Sequence, residues 1–265
     1  MYIDNGGDPK LGSQELKVIA DAESSLPSNR SSYISSGLDS GLENLHIQDN
    51  SPALVIRSST TVQNGEGAFA SRGFRRGQLI LSERPIFRNP TDIPEMFKCI
   101  FIEAAVRTLA PASLNAYLSL QNSHAECACF PSHPLLAIFS TNAFGIIGDK
   151  AGIWLKASKF NHSCSPNAEV SSNLKTGELR IYALRTILPA EEIFLAYVND
   201  GCLYGESRQS RQSVLLTRYH FTCACSVCSL PEAESKMSDA KRLELWERRI
   251  RCGVSWTAPR RELFY

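Results

Sequence analysis

The most informative stretch of this chain is Phe160-Asn161-His162-Ser163-Cys164-Ser165-Pro166-Asn167. It brings polar, metal-binding and turn-forming side chains together between two apolar segments. Asn and Ser side chains compete with helical hydrogen bonds, and proline cannot continue a helix. The segment therefore predicts a short helix that ends near His162 and a turn before a strand at 168–170. This composition is typical of a functional site, and an ordinary surface loop is the alternative.

Composition and charge narrow the classes of protein to which the chain can belong. Its length of 265 residues and its hydrophobic content of 43% predict one domain with appendages. The formal net charge is +1. A dedicated nucleic-acid-binding domain would be strongly basic, so no direct nucleic-acid binding is expected. The sequence shows neither an N-terminal signal pattern nor 18 consecutive apolar residues. It therefore predicts a protein of the nucleus or cytoplasm without a membrane segment.

The cysteines indicate a metal site. Cys223, Cys225 and Cys228 lie within six positions, and in a reducing compartment such spacing favours metal ligands over disulfides. Three merely buried thiols are the alternative. A second group is tightly spaced but resembles no known finger, so a second metal and chance clustering both stay open. This group consists of His124, Cys127, Cys129 and His133.

Four regions of different composition divide the chain. Residues 1–50 are rich in serine and hold eight acidic but only three basic side chains, which predicts a disordered acidic tail. A β-rich domain is predicted over 53–200, with a helical insert at about 94–160. Residues 201–230 contain the cysteine-rich segment, and 231–265 are predicted to form a C-terminal helix.

Two predicted helices have an apolar face that we expect to be buried. The face in the insert consists of Met96, Phe97, Ile100, Phe101 and Ala104. The face in the C-terminal helix consists of Leu243, Trp246 and Ile250. We expect this second face to dock on the domain, and binding of a partner protein is the alternative.

Three pieces of the sequence, taken in order, resemble the SET-domain protein-lysine methyltransferases. They are Asn161-His162-Ser163-Cys164, the strand that ends in Leu195-Ala196-Tyr197, and the cysteine-rich segment 221–228. The resemblance runs from about residue 54 to residue 228 and is closest to the SET-and-MYND branch and its fungal relatives. The sequence carries no MYND finger and no helical-repeat extension. Ala190 stands where the family usually has glycine, a change in a turn that should cost little.

The resemblance implies a mainly β fold with a helical insert. In the SET fold, short twisted sheets surround a knot-like threading of the C-terminal segment, followed by a zinc-binding post-SET segment. This threading would bring Asn161-His162 beside Tyr197 and would bring Cys164 to the three later cysteines. Four thiolates hold a structural zinc without an open coordination position. Cys164, Cys223, Cys225 and Cys228 are therefore the implied zinc ligands.

The resemblance also implies a function. The chain would transfer a methyl group from S-adenosylmethionine to a lysine of a protein substrate, histone or non-histone, and would act as a monomer. Tyr197 is the implied catalytic residue, and Phe221 would stack on the adenine of the donor. The implied donor-binding residues are Gly65, Gly67, Asn142, Asn161, His162 and Phe221. A catalytically silent SET protein that binds partners, and a zinc-stabilised scaffold without a donor site, are the alternatives.

Overall fold

A computed structural model of the protein describes residues 52–59, 61, 65–90, 95–125, 133–146, 150–173, 176–198 and 203–252. The predicted tail at 1–50 lies outside the described residues, as do Cys127 and Cys129. The first half contains β1 (Leu54–Ser58), β2 (Glu66–Ala70), β3 (Leu79–Glu83), β4 (Phe87–Pro90), α1 (Glu95–Arg107), α2 (Pro111–Leu118) and α3 (Pro134–Asn142). The second half contains β5 (Phe144–Ile146), β6 (Lys150–Ile153), a 3-10 helix (Ala157–Lys159), β7 (Asn161–His162), β8 (Ala168–Ser172), β9 (Leu179–Ala183), β10 (Phe194–Leu195), α4 (Arg208–Tyr219) and α5 (Glu232–Arg251).

Several short sheets carry the β-rich part of the molecule. β1 pairs with β2, β9 lies between β3 and β8, and β6 lies between β4 and β5, all antiparallel. No strand in the described residues exceeds five residues, because turn-forming residues interrupt each apolar run. The predicted mainly β fold with a helical insert is confirmed.

A parallel strand pair brings the two central motifs together. β7 and β10 pair with Asn161 opposite Phe194 and His162 opposite Leu195. Parallel strands cannot be joined by a tight hairpin, and here the connection includes β8 and β9. The pairing places Asn161 and His162 beside the segment that leads to Tyr197, as the resemblance implied. The knot-like threading itself stays a prediction.

The segment before β7 differs from the sequence-based expectation. We predicted a short helix that ends near His162, whereas the 3-10 helix ends at Lys159 and Asn161–His162 are extended. Pairing with β10 gives this backbone hydrogen-bond partners that its local composition does not reveal. Tertiary pairing therefore overrides the local preference.

Three apolar clusters form the core of the described residues, and the two largest lie between the sheets and around the insert. The cluster between the sheets, here called the sheet core, includes Phe74, Trp154, Phe160, Ile181 and Leu195. The cluster around the insert, here called the helical core, includes Ile102, Val106, Tyr117, Leu136 and Phe139. Phe160 precedes β7 and Leu195 ends β10, and each is only 1% exposed. Burying such a side chain contributes about 1.5–3 kcal/mol, so the parallel pair is anchored by apolar packing on both of its strands.

α1 buries the opposite face from the one that we predicted. Ile102 and Val106 are 0% and 3% exposed and belong to the helical core. Phe97, Ile100 and Phe101 are 45%, 60% and 49% exposed, so the prediction that their face is buried was wrong. Apolar residues occur on both sides of α1, and spacing alone cannot tell which side meets the core.

α5 docks through only part of the predicted face. Trp246 is half-buried and lies so close to Gly205 that an added Cβ there would be 2.8 Å from its Cγ, but Leu243 and Ile250 are 47% and 60% exposed. The docked side includes Asp239, whose carboxylate accepts hydrogen bonds from the backbone nitrogen of Arg208 and the guanidinium of Arg211, both at 2.8 Å.

Among the described residues, no helix combines the length and apolar composition needed to cross a membrane.

Candidate active site and metal centre

Asn161 is fixed by two acceptors. Its Nδ2 donates to the backbone oxygen of Glu66 and to Oε1 of Glu192, both at 2.9 Å. Ser59 Oγ donates to Oε1 of the same carboxylate at 2.8 Å, and Glu192 is only 6% exposed. Both amide protons of Asn161 are therefore engaged, and Oδ1 is the polar atom of this side chain that can receive a ligand.

Gly67 makes room for the Asn161–Glu192 contact. A Cβ on Gly67 would lie 2.9 Å from Cδ of Glu192, closer still to Oε1, and 3.0 Å from Nδ2 of Asn161. Gly67 is not among the residues with positive φ, so close approach, and not an unusual backbone conformation, requires glycine here. The carbonyl of Gly65 accepts a hydrogen bond from the backbone nitrogen of Ser59 at 2.8 Å. Contact of either glycine with a methyl donor stays a prediction.

Tyr197 lies two residues beyond β10 with its hydroxyl fixed. The hydroxyl donates to the backbone oxygen of Phe160 at 2.9 Å. Burial raises the pKa of Tyr197 above its usual range, and the neighbouring Tyr219 and Glu192 raise it further. The phenol therefore stays protonated near neutral pH. Because its proton is used on Phe160, its oxygen is available as a hydrogen-bond acceptor.

His162 connects Tyr197 to the cysteines. Its Nδ1 accepts from the backbone N–H of Tyr197 at 3.1 Å, which places the ring proton on Nε2, and Nε2 lies 3.5 Å from Sγ of Cys164. Burial lowers the pKa of His162 to about 4, with smaller opposing contributions from Cys225, which raises it, and Arg211, which lowers it. The ring is therefore neutral near pH 7. Its role in donor binding stays a prediction, since both ring nitrogens have partners within the protein.

The four predicted cysteines converge. Cys164 follows β7, and the other three follow α4, yet all four sulfur atoms lie within 4.8 Å of one another. Sγ of Cys164 is 3.6 Å from Sγ of Cys228 and 4.0 Å from Sγ of Cys223. Tetrahedral zinc with Zn–S bonds of about 2.3 Å holds its sulfurs about 3.8 Å apart. The donor atoms and their spacing therefore fit one four-coordinate ion with no open position.

α4 and α5 support this cluster from outside. Gln212 on α4 donates to the backbone oxygen of Cys223 at 2.8 Å, and Arg242 on α5 donates to that of Cys164 at 3.0 Å. Arg211 is 1% exposed and forms an ion pair with Asp239 at 2.8 Å. These cations lie where the negative charge of four thiolates would need compensation.

Two further aromatic side chains, Phe221 and Tyr219, pack around Tyr197. The ring centroid of Phe221 is 6.2 Å from that of His162 and 6.3 Å from that of Tyr197. Tyr219, which the sequence analysis missed, lies 5.2 Å from Tyr197 between ring centroids. His220 adopts a φ of 56°, which ends α4 between the two aromatic residues. An aromatic two positions before Phe221 was the signal that could have identified Tyr219.

Sequence reasoning also missed Glu192 and Ser59. Two adjacent carboxylates after a turn usually indicate a solvated surface, so the pair Glu191-Glu192 drew no functional assignment. The available signal was the position of Glu192 directly before an apolar strand.

Asn142 and the second metal group are engaged elsewhere. Nδ2 of Asn142 donates to the backbone oxygens of Gln121 at 2.7 Å and Ile138 at 2.8 Å. Among the described residues, its side chain forms no hydrogen bond to the group around Asn161, and its role in donor binding stays a prediction. His124 packs against His220 with ring centroids 4.5 Å apart. The second metal group cannot be placed as a whole, because its two cysteines lie outside the described residues.

Comparison with known proteins identifies the family. Residues 65–198 match the SET domain family. The chain is 33% identical over 182 residues to histone-lysine N-methyltransferase set5 of Schizosaccharomyces pombe, covering 68% of this chain and 53% of that protein. It is 41% identical over 90 residues to protein-lysine N-trimethyltransferase SMYD5 of Danio rerio, covering 34% of this chain and 20% of that protein. The chain thus spans about half, or less, of the length of these curated relatives. The match over residues 65–198 and the convergence of the three motifs in the fold agree, and the chain belongs to the SET-domain family.

Proposed function

We propose that the protein transfers a methyl group from S-adenosylmethionine to a lysine side chain of a protein substrate. The observation that carries this proposal is the Tyr197 hydroxyl, which is held protonated beside β7 with its oxygen free to accept a hydrogen bond. The printed names of the relatives support the reaction class, since one is a histone-lysine and the other a protein-lysine methyltransferase. The substrate is a histone or another protein of the nucleus or cytoplasm, and the enzyme acts as a monomer.

The residues around Asn161 fit a donor that carries both an ammonium group and an adenine ring. Oδ1 of Asn161 is a hydrogen-bond acceptor, which suits an ammonium, and the half-buried ring of Phe221 offers a face for stacking. When bound, S-adenosylmethionine supplies a methyl group activated by its sulfonium. Asn161 and Phe221 would hold the two ends of the donor, and Gly65, Gly67, Asn142 and His162 are the further residues proposed to contact it.

Tyr197 orients the lysine amine and does not deprotonate it. A phenol whose pKa is raised by burial is not a base near neutral pH, so the lysine must lose its proton to solvent. Deprotonation of a lysine with a reference pKa of about 10.4 costs roughly 4–5 kcal/mol at pH 7. The aromatic rings of Tyr197, Tyr219 and Phe221 lower this cost because an apolar surrounding disfavours the ammonium form. The Tyr197 oxygen then accepts an amine N–H and so directs the nitrogen lone pair.

We assign the ion of the four-cysteine cluster as zinc. Four thiolates at tetrahedral spacing are the donor set of structural zinc sites. Cys164, Cys223, Cys225 and Cys228 would hold this zinc with no coordination position left for a reacting group, so its role would be structural. Bound there, it would tie the segment that carries Phe221 to the turn that follows β7.

Two substitutions test the proposed reaction through different failures. Tyr197→Phe keeps the ring, so we expect the melting temperature and the donor affinity to stay near those of wild type. Methyl transfer should fall by roughly 100-fold or more, since one orienting hydroxyl in a dry site is typically worth about 2.7–4 kcal/mol. Asn161→Ala should weaken donor binding first, and the loss should appear in KM for the donor before kcat.

The measurement is transfer of labelled methyl to a panel of histones and to cell extract, with donor affinity measured by calorimetry. Tyr182→Phe is the matched control, because Tyr182 lies on β9 and not beside β7. Wild-type methyl transfer by Tyr197→Phe would show that the Tyr197 hydroxyl does not orient the lysine amine. Donor binding by the wild-type protein without methyl transfer to any substrate would identify a silent SET protein.

A further inference from the structure

Glu192 is a buried carboxylate that the mechanism above does not use. It is 6% exposed, and its oxygens receive hydrogen bonds from Ser59 Oγ and from Nδ2 of Asn161. We propose that Glu192 is a positioning residue of the methyl-donor site: its carboxylate fixes the Asn161 carboxamide so that Oδ1, and not Nδ2, faces the donor. The inference rests on the proposed function and deepens it.

The orientation of an asparagine amide is set by what its two ends face. Nδ2 of Asn161 lies 2.9 Å from each of two acceptors, the backbone oxygen of Glu66 and Oε1 of Glu192. A flipped amide would place Oδ1 against both of these oxygens, replacing two attractive contacts with two repulsive ones. The carbonyl of Glu66 is neutral, whereas the carboxylate of Glu192 is charged and forms the stronger hydrogen bond. Glu192 therefore dominates the choice between the two orientations.

The selected orientation matches the charge of the donor. An ammonium group donates hydrogen bonds and needs an acceptor, which Oδ1 supplies and a flipped Nδ2 would not. The negative charge of Glu192 behind Asn161 also favours a cationic ligand over a neutral one.

Other contacts hold Glu192 in place. Its backbone oxygen accepts a hydrogen bond from Nδ2 of Asn167 at 2.9 Å, and its carboxylate fills the space that a side chain on Gly67 would need. Ser59, which precedes β2, closes the other side at 2.8 Å from Oε1. The Glu192 carboxylate is thus held by Ser59 and Gly67 of the β1–β2 region and by Asn161 of β7, and its backbone is held by Asn167.

A double-mutant cycle between Asn161 and Glu192 tests the proposal. The probe is S-adenosylmethionine. Its dissociation constant is measured by calorimetry for the wild-type chain, Glu192→Ala, Asn161→Ala and the double variant. We expect Glu192→Ala to weaken donor binding roughly 10- to 100-fold, the range for loss of one charged hydrogen bond. In the Asn161→Ala background the same change should have almost no further effect, because Glu192 acts through Asn161.

Two variants separate positioning from loss of folding. Glu192→Gln keeps the shape and an acceptor for Asn161, so we expect a melting temperature near wild type and a smaller loss of affinity, within roughly 10-fold. Glu191→Ala is the matched control, because the neighbouring Glu191 carboxylate accepts hydrogen bonds from Arg185, the backbone nitrogen of Leu188 and Nδ2 of Asn167, whereas Asn161 and Ser59 donate to Glu192. Its donor affinity should be unchanged.

The possible outcomes are distinct. Unchanged donor affinity in Glu192→Ala, or effects of Glu192→Ala and Asn161→Ala that simply add, would overturn the inference while leaving the proposed function intact. If Glu192→Ala does not fold, the test passes to Glu192→Gln and Asn161→Ala. Wild-type donor affinity in both of these variants would also overturn the inference. A wild-type chain that binds no donor would overturn the proposed function and this inference together. Donor binding with the coupled cycle, but without methyl transfer, would support the inference and reject only the proposed catalysis.

Discussion

The strand pair β7–β10 and the four-cysteine cluster are neighbours, yet different forces hold them. The strand pair is flanked by Phe160 and Leu195, both 1% exposed in the sheet core. Around the cysteines the apolar cluster is small, and of its six buried members among the described residues three are Cys223, Cys225 and Cys228. We therefore expect the Asn161 side of the site to depend on apolar burial, and the segment that carries Phe221 to depend on the proposed zinc.

Removing a metal ligand should give the largest effect and break one region alone. Cys164→Ser opens the closed four-thiolate site, and structural zinc is typically worth about 10 kcal/mol or more of folding free energy. We expect loss of bound zinc and rapid hydrogen exchange over 219–228. Exchange over β7 and β10 should change much less. Elemental analysis measures the bound zinc, and hydrogen-exchange mass spectrometry measures the protection of each segment. Wild-type protein that holds no zinc but still protects residues 219–228 would show that this segment does not depend on a metal.

Breaking the apolar side should have the opposite pattern. Leu195→Ala leaves a cavity in the sheet core and should lower the free energy of unfolding by about 2–5 kcal/mol. Zinc content should stay at one ion per chain. The matched control is Leu188→Ala, since Leu188 is 63% exposed and should change stability by less than about 0.5 kcal/mol. Zinc loss in Leu195→Ala would show that the two regions do not fold independently.

Acid should act through His162, which touches both regions. Its folded pKa of about 4 lies below the usual value of 6.5, so the unfolded chain binds more protons between these values. Stability is therefore full above about pH 6.5 and falls as the pH drops towards 4, by up to about 3 kcal/mol. Urea unfolding at pH 7.5, 6 and 5 measures this, with zinc content followed in the same samples. His162→Gln should flatten the dependence over the range in which zinc stays bound.

A turn substitution should give the smallest effect and leave both regions intact. Ala190 adopts a φ of 65°, a left-handed conformation that costs a non-glycine residue about 1 kcal/mol. The small cost in stability that we expected from alanine at this turn therefore amounts to about 1 kcal/mol. Ala190→Gly should raise the melting temperature by a few degrees without changing methyl transfer. Ala183→Gly, in strand β9, is the control and should lower it.

The sequence predicted chemistry better than it predicted packing. Thiol spacing singled out Cys223, Cys225 and Cys228 as candidate ligands, and their sulfur atoms do converge, because metal-binding sequences leave a local pattern. By contrast, the buried face of α1 was predicted wrongly, since Phe97 and Ile102 are equally apolar and only neighbouring elements distinguish them. Glu192 escaped notice because its partner Ser59 lies 133 residues away along the chain.

The family and the three clustered thiols Cys223, Cys225 and Cys228 could be read from the sequence, since both depend on residue types at short spacing. Cys164, 59 positions before Cys223, was added only by the resemblance to that family. How the motifs contact one another is a property of the tertiary structure. The parallel pairing of β7 with β10 turned a predicted helix end at Asn161 and His162 into a strand, because only that partner completes their backbone hydrogen bonds. It also buried Glu192 against Asn161 and Gly67, a contact that joins three distant segments and that no local pattern encodes.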